Sequence, residues 1–285
     1  METVARPSTL RDRLRAWQSG GQRIALVATM GNLHAAHLAL VRKGRTLAER
    51  SVVSIFVNPT QFVSGEDFER YPRTLEADAR LLLEVGVDLL FAPEIGDLYP
   101  HGLVGHVRVE VPALDFILCG ASRPGHFTGV ATVVTKLLNL VAPDVAVFGR
   151  KDYQQLVLIR RLVADLDFPV SIESVDTVRE ADGLALSSRN RYLSTEERAV
   201  APGLYRVLRH AAEVLRSGSR DYAAVEAGAA SALEALGFRP DYFAVRRASD
   251  LMAPQQRDTD LLVVLAAAWL GDTRLIDNTA VPASH

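Results

Sequence analysis

Two histidines three residues apart, His34 and His37, follow a glycine turn, Met30-Gly31-Asn32-Leu33, at the end of an apolar run. Residues at i and i+3 share one side of a helical turn. At a helix start the first N–H groups lack helical partners and the dipole end is positive, so imidazoles there suit phosphate. As an isolated pair they read equally as surface histidines. Zinc would need further ligands at matching spacing, and no Cys/His cluster supplies them. A second cluster is Gly149-Arg150-Lys151-Asp152-Tyr153-Gln154-Gln155. Its glycine permits close backbone approach, Lys151 offers a point charge, Asp152 suits ribose hydroxyls, and Gln155 offers donor and acceptor to a hydroxylated substrate. The bland alternative is a charged helix start.

The third cluster, residues 179–191, contains the turn signal Asp182-Gly183 and then Ser187-Ser188-Arg189, two hydroxyls beside a guanidinium. Such a loop can clamp phosphates, although an isolated segment of this kind is also an ordinary polar linker. The fourth, Phe56-Val57-Asn58-Pro59-Thr60-Gln61-Phe62, sets Gln61 between apolar neighbours, either as a plain surface residue or in a restricted pocket for a small branched substrate. There is no G-x-G-x-x-G after the first strand, no G-x-x-x-x-G-K-[ST] loop and no G-x-S-x-G elbow. Phosphate handling therefore falls to the histidines, Lys151 and Arg189.

Alternating elements must position these clusters. Buried-strand patterns cover residues 23–29, 51–57, 87–92, 145–148 and 170–175. Helical spacing appears at Leu38, Leu40, Val41 and Leu47, and over residues 74–85 (closed by Gly86), 129–141 and 153–165. Strands alternating with such helices predict an α/β fold, a Rossmann-like parallel sheet covered on both faces. Ligands bind such sheets beyond the carboxyl ends of the strands, where three of the four clusters fall. After about Val175 the pattern changes. The capping box Ser194-Thr195-Glu196-Glu197 opens a helix to about Leu215, a second covers 222–236, and residues 240–246, 261–269 and 273–277 form a small antiparallel or mixed sheet. The expected division is residues 1–175, a Rossmann-like domain, and a smaller C-terminal α+β lid domain, 176–285.

The composition bounds the function. Of 285 residues, 32 are Lys or Arg and 34 Asp or Glu, a net charge of −2, with 48% hydrophobic and 23% charged. These are values of an ordinary globular protein, without the basic surface that nucleic acid requires. No apolar run approaches the roughly 18–20 residues of a membrane span, and residues 1–17 lack a secretory stretch. The one cysteine, Cys119, follows Phe116-Ile117-Leu118, which suits a buried thiol in a reducing, cytoplasmic compartment.

Together the four clusters resemble the pantoate–β-alanine ligase (pantothenate synthetase) family of the nucleotidylyltransferase superfamily. Met30-Gly31-Asn32-Leu33-His34-Ala35-Ala36-His37 looks like its nucleotide signature, and residues 56–62 look like its substrate loop. Leu118-Cys119-Gly120, Arg123-Pro124-Gly125-His126-Phe127-Thr128-Gly129, Phe148-Gly149 with Lys151-Asp152 and Gln154-Gln155, Asp182–Asn190 and Leu275-Ile276-Asp277-Asn278 also match. The resemblance spans residues 20 to 280. It implies that pantoate is activated by ATP as pantoyl adenylate, releasing pyrophosphate, and that β-alanine then gives pantothenate and AMP.

By resemblance, Met30, Gly31, Asn32, Leu33, His34, Ala35, Ala36 and His37 line the ATP site, with His37 donating a proton to the departing group. Gly149, Arg150, Lys151 and Asp152 hold ribose and phosphate, Val178 the adenine through its backbone, and Leu186, Ser187, Ser188 and Arg189 the phosphates. His34, His37, Lys151 and Arg189 form the catalytic set, while Gln61 and Gln155 hold pantoate, Gln61 also reaching β-alanine. Mg2+ screens the phosphates through ligands the sequence leaves unassigned, and the family implies a homodimer. Two departures stand out: the motif usually has Ala at Asn32 and Gly at Ala36, and the added Ala36 methyl implies weaker ATP affinity. The competing expectations are a nucleotidylyltransferase acting on a phosphorylated acceptor, which would call for extra arginines, and a nucleotide-sensing or RNA-binding module without turnover.

Overall fold

A computed structural model describes residues 1–255 and 260–281. The chain forms two compact units: residues 1–150 with 158–176, and residues 151–157 with those described from 177 onward.

The first unit is built on β1 (Glu2–Val4), β2 (Ile24–Thr29), β3 (Arg50–Ile55), β4 (Leu89–Phe91), β5 (Val145–Gly149) and β6 (Ser171–Val175). All pairings are parallel, in the order β1-β4-β3-β2-β5-β6. Ile24, Ala25, Leu26 and Val27 are all buried, as a strand covered on both faces must be. The covering helices are α1 (Pro7–Ser19), α2 (Ala35–Arg45) and α3 (Leu75–Glu84). Three short turns follow, α4 (Ile95–Leu98), α5 (Pro112–Asp115) and α6 (Cys119–Ser122), then α7 (His126–Val141) and α8 (Tyr153–Asp165), of which residues 153–157 belong to the second unit. One core cluster gathers Val27, Leu33, Val41, Val53, Leu82 and Val147, from β2, β3, β5 and the elements around them. Burying each such side chain contributes roughly 1.5–3 kcal/mol.

The order of the strands matters for function. From β2 the chain steps outward through β3 to β4, then returns to β5 on the other flank of β2. The reversal between β2 and β5 opens the crevice where doubly wound sheets bind ligands. The parallel sheet is the one expected, and β1 and α1 extend it where three residues of strand left no pattern to read. Pro7 at the first helical position and the buried Leu10 and Leu14 explain α1.

In the second unit β7 (Arg239–Arg247), β8 (Leu262–Leu270) and β9 (Thr273–Val281) form an antiparallel sheet in that order. With it pack α9 (Thr195–Val200), α10 (Gly203–Arg216) and α11 (Tyr222–Ala235). Two expected boundaries are corrected. The helix expected over 194–215 divides between Val200 and Gly203, because Pro202 has no N–H to continue the ladder. α7 starts at His126, not 129, since Gly125 at φ +85° turns the chain into it.

Candidate functional site

The turn after β2 is fixed from below by one buried carboxylate. Gly31 and Asn32 both have positive φ, +81° and +51°. Asp78, on α3 and 2% exposed, accepts hydrogen bonds from the amides of Asn32 (2.9 Å) and Leu33 (2.8 Å) and from Thr74 Oγ1 (3.0 Å). A Cβ on Gly31 would stand 3.0 Å from Asp78 Oδ2 and 3.1 Å from Ile55, so glycine is needed for space as well as conformation. Asn tolerates the left-handed region better than Ala, so the departure at Asn32 matches its backbone.

The turn delivers His34 to the N-cap of α2 and His37 to its third position. The His34 amide donates to His37 Nδ1 at 3.3 Å, and the two rings lie 4.2 Å apart. Because Nδ1 accepts that bond, neutral His37 carries its proton on Nε2. One expectation is narrowed here. The amides of Gly31, Asn32, Leu33 and His34 all donate within the protein, to Thr29 Oγ1, Asp78 and His37. At the start of α2, Ala35 is exposed while His34, Ala36 and His37 are half-buried.

Gln61 ends a 3-10 turn (Pro59–Gln61) just beyond β3, next to β2 in the sheet. Asn58, almost fully buried, donates Nδ2 to Gln61 Oε1 (3.1 Å) and to the Gly129 carbonyl (3.2 Å). Its Oδ1 accepts from Tyr99 Oη (2.9 Å) and Thr60 Oγ1 (3.0 Å). Burial pushes the Tyr99 phenol up, against the opposing pull of the Thr60 hydrogen bond, which keeps it a donor. Gln61 Nε2 in turn points at Met30 Sδ, 3.1 Å away. The first and fourth clusters therefore meet, and the orientation of the Gln61 amide is determined.

At the end of β5, Gly149 leads to Arg150, whose guanidinium binds Ser174 Oγ (3.1 Å) and Asp176 Oδ1 (2.7 Å) across β6. The exposed Arg150 side chain is thus engaged with the end of β6. Gln155 lies in the first turn of α8, half-buried beside the buried Gln154.

In the second unit, Val178 and Leu186 pair across a hairpin, the Leu186 amide bonding the Val178 carbonyl at 2.9 Å and Arg179 bridging Ala185. Ser187 Oγ accepts the Arg189 amide (3.3 Å) and starts a 3-10 turn through Tyr192, placing Ser188 and half-buried Arg189 directly after the hairpin. Sequence reasoning missed what anchors this loop. Arg179 grips Asp277 bidentately (2.6 and 3.0 Å), bonds the Gly183 carbonyl (3.1 Å) and stacks on Tyr205 at 3.4 Å. Burial pushes the Asp277 carboxyl up, while the Arg179 fork and the Asn278 amide pull it back. Neighbouring Asn278 donates Nδ2 to the Lys151 carbonyl at 2.8 Å. Adjacent residues of β9 therefore hold the Lys151 turn and the 178–189 loop together; their appearance in a recognisable motif was the only signal. Among the described residues no group of three His, Cys, Asp or Glu gathers to hold a metal.

The comparisons with known proteins agree with this geometry. The family model for pantoate-beta-alanine ligase matches residues 2–280. Pantothenate synthetase of Pseudomonas fluorescens is 55% identical over 278 residues, covering 98% of this chain and 97% of that relative. That of Thioalkalivibrio sulfidiphilus is 57% identical over 281 residues, covering 99% and 98%. The crystal structure of pantothenate synthetase from Thermus thermophilus superposes with a TM-score of 0.91 at 47% identity, covering 99% of each chain. The Francisella tularensis pantoate-beta-alanine ligase, solved with beta-gamma ATP and beta-alanine, gives 0.82 at 33% identity, covering 98% and 97%. With its parallel sheet, its histidine turn at the point of reversal and its Gln61 loop, the chain belongs to the pantoate–β-alanine ligase family.

Proposed function

We propose that this chain condenses pantoate with β-alanine at the expense of ATP, by way of an enzyme-bound pantoyl adenylate. A pantoate carboxylate oxygen bonds to the α-phosphorus as the bond to the β-phosphate breaks, and pyrophosphate departs. The neutral amine of β-alanine then bonds to the activated carbonyl carbon. AMP leaves with the former carboxylate oxygen, and the amine nitrogen loses a proton.

The observation that carries this reading is the turn at the carboxyl end of β2. There His37, with its proton on Nε2, stands beside His34, and Met30 touches the Gln61 amide. A phosphoryl transition state spreads negative charge over its oxygens, so positioned donors and cations supply most of the stabilisation. His37 Nε2–H is the donor for the departing pyrophosphate. Lys151 and Arg189 neutralise phosphate charge, Gly149–Asp152 hold ribose and phosphate, and the Val178 backbone receives adenine. Gln61 and Gln155 bind pantoate through its hydroxyls and carboxylate, and Gln61 also faces β-alanine. Magnesium would accompany the nucleotide and supply further charge neutralisation when bound; among the described residues no group of three His, Cys, Asp or Glu would hold it. No described helix is long and apolar enough to cross a membrane, and the buried Cys119 suits a reducing cytoplasm. The family expectation of a homodimer belongs to the same reading, and light scattering would test it.

The deciding experiment follows AMP with ATP, pantoate and β-alanine together and with each omitted in turn. Sustained AMP release that needs all three is the expected result. Release indifferent to pantoate refutes the reading.

A further inference from the structure

The main chain of Gln61 is held as deliberately as its side chain. Its carbonyl oxygen receives His126 Nδ1 at 2.7 Å and Arg123 Nη2 at 3.4 Å. Arg123 also grips Glu66 with two nitrogens, Nε on Oε1 and Nη2 on Oε2 (2.7 Å), and its Nη1 lies 2.8 Å from His126 Nε2. Glu66 Oε2 takes the Val63 amide at 3.2 Å, so residues 61–66 are tied at both ends to the start of α7. The Arg123 and Glu66 side chains are only 16% and 21% exposed.

Donor and acceptor chemistry leaves one protonation pattern. A carbonyl only accepts, so His126 Nδ1 carries a hydrogen; a guanidinium only donates, so Nε2 is the acceptor. The bonds therefore run in one direction, from Arg123 through the neutral imidazole to the Gln61 carbonyl, with Glu66 orienting the guanidinium. A chain polarised this way is stronger than its separate bonds, and interrupting it strands donors in a partly buried place.

We propose that Glu66, Arg123 and His126 form a positioning relay that fixes the Gln61 backbone and thereby sets the Gln61 amide for the hydroxy-acid substrate. None of the three needs to touch substrate. Asn58 and Met30 fix the far end of the Gln61 side chain, and the relay fixes the near end. The inference rests on the role assigned to Gln61 above.

Its test is steady-state kinetics of His126→Ala, His126→Asn, Glu66→Gln and Gln61→Ala, with circular dichroism to confirm folding. The Asn amide can present an N–H near the place of Nδ1–H, so it restores the bond that Ala deletes. His126→Ala is expected to raise KM for pantoate about 10–100-fold, the range for one stranded donor or acceptor, with KM for ATP within about twofold of wild type. His126→Asn is expected to recover most of that loss, and Glu66→Gln to show a smaller effect on pantoate in the same direction. Equal changes in both Michaelis constants, or no rescue by Asn, overturn the relay and leave a merely structural role. If Gln61→Ala weakens pantoate binding but His126→Ala does not, the relay alone fails. If Gln61→Ala itself has no effect on pantoate, the reading of Gln61 fails first.

Discussion

Replacing Asp78 by Asn tests whether one buried side chain supports the histidine turn. Oδ2 receives the Asn32 amide and Thr74 Oγ1, and Oδ1 receives the Leu33 amide. Asn, nearly isosteric, keeps one oxygen. In its better orientation that oxygen serves Asn32 and Thr74, and its NH2 then faces the Leu33 N–H, donor against donor. A hydrogen bond to a charged acceptor is lost and a buried amide is stranded, each costing about 1–3 kcal/mol. Partial relaxation of the turn makes about 2–3 kcal/mol the expected destabilisation. For a chain of this size each kcal/mol lowers the melting temperature by about 2–4 °C, so a fall of roughly 4–12 °C is expected. The kinetic effect follows from the geometry. Relaxing the strained pair Gly31–Asn32 displaces His34 and His37, so kcat/KM for ATP falls while the pantoate site, held by Asn58, changes less. Differential scanning fluorimetry and pyrophosphate-release kinetics measure both. A variant that melts with wild type and forms adenylate at the wild-type rate refutes the argument that Asp78 supports the turn.

Other expectations follow from the same structure. Lys151→Ala should slow adenylation roughly 100-fold, about 2.7 kcal/mol of transition-state stabilisation, read as the pyrophosphate burst; an unchanged burst removes Lys151 from the step. Asn32→Ala should cost about 1 kcal/mol because Ala resists φ +51°, whereas Asn32→Gly should not; equal melting temperatures would refute the conformational reading. Gly129→Ala would drive a methyl into the Thr60 carbonyl oxygen and set it 2.7 Å from the Gln61 amide nitrogen, so the 59–61 turn must shift. About 1–3 kcal/mol of overpacking and a raised KM for pantoate should result, with ATP unaffected. Burial alone would push the Glu66 carboxyl up, but the Arg123 hydrogen bond and charge leave it below the usual carboxylate range. A depressed folded value gives stability that is present above the ordinary glutamate value of about 4.3 and lost as pH falls through the lowered one. Glu66→Gln should accordingly flatten the acid limb of a melting-temperature profile, and an unaltered profile would count against the pairing.

Candidates for phosphate chemistry could be nominated because few residue types suit it and spacing picked out His34, His37 and Gln61 next to strand ends, where the fold does set them. The parallel sheet was legible for a related reason: a strand buried on both faces must be apolar throughout, and residues 24–27 are. What escaped is what closes over long separations. Asp78 lies 46 positions beyond Asn32 and Asp277 lies 98 beyond Arg179, and no local period announces either pairing. Local spacing also overstated the backbone. A helix start promises unpaired amides, yet residues 31–34 give theirs to Thr29, Asp78 and His37, partners that only tertiary structure supplies.

Arg150 makes the same point for charge. Beside Lys151 it looks like a second phosphate ligand, but Asp176, 26 residues on, holds its guanidinium, whereas the Lys151 carbonyl is held by Asn278 and its ammonium acts on the Asp277 carboxyl through its charge. Type and spacing therefore nominate candidates, and the ion pairs and hydrogen bonds already made within the fold decide which of them has chemistry left to offer a substrate. Asn58 carries the argument one step further. Its amide uses Nδ2 on Gln61 and Gly129 and Oδ1 on Tyr99 and Thr60, so it is consumed entirely in building the site, and its worth lies in the orientation it imposes on a neighbour.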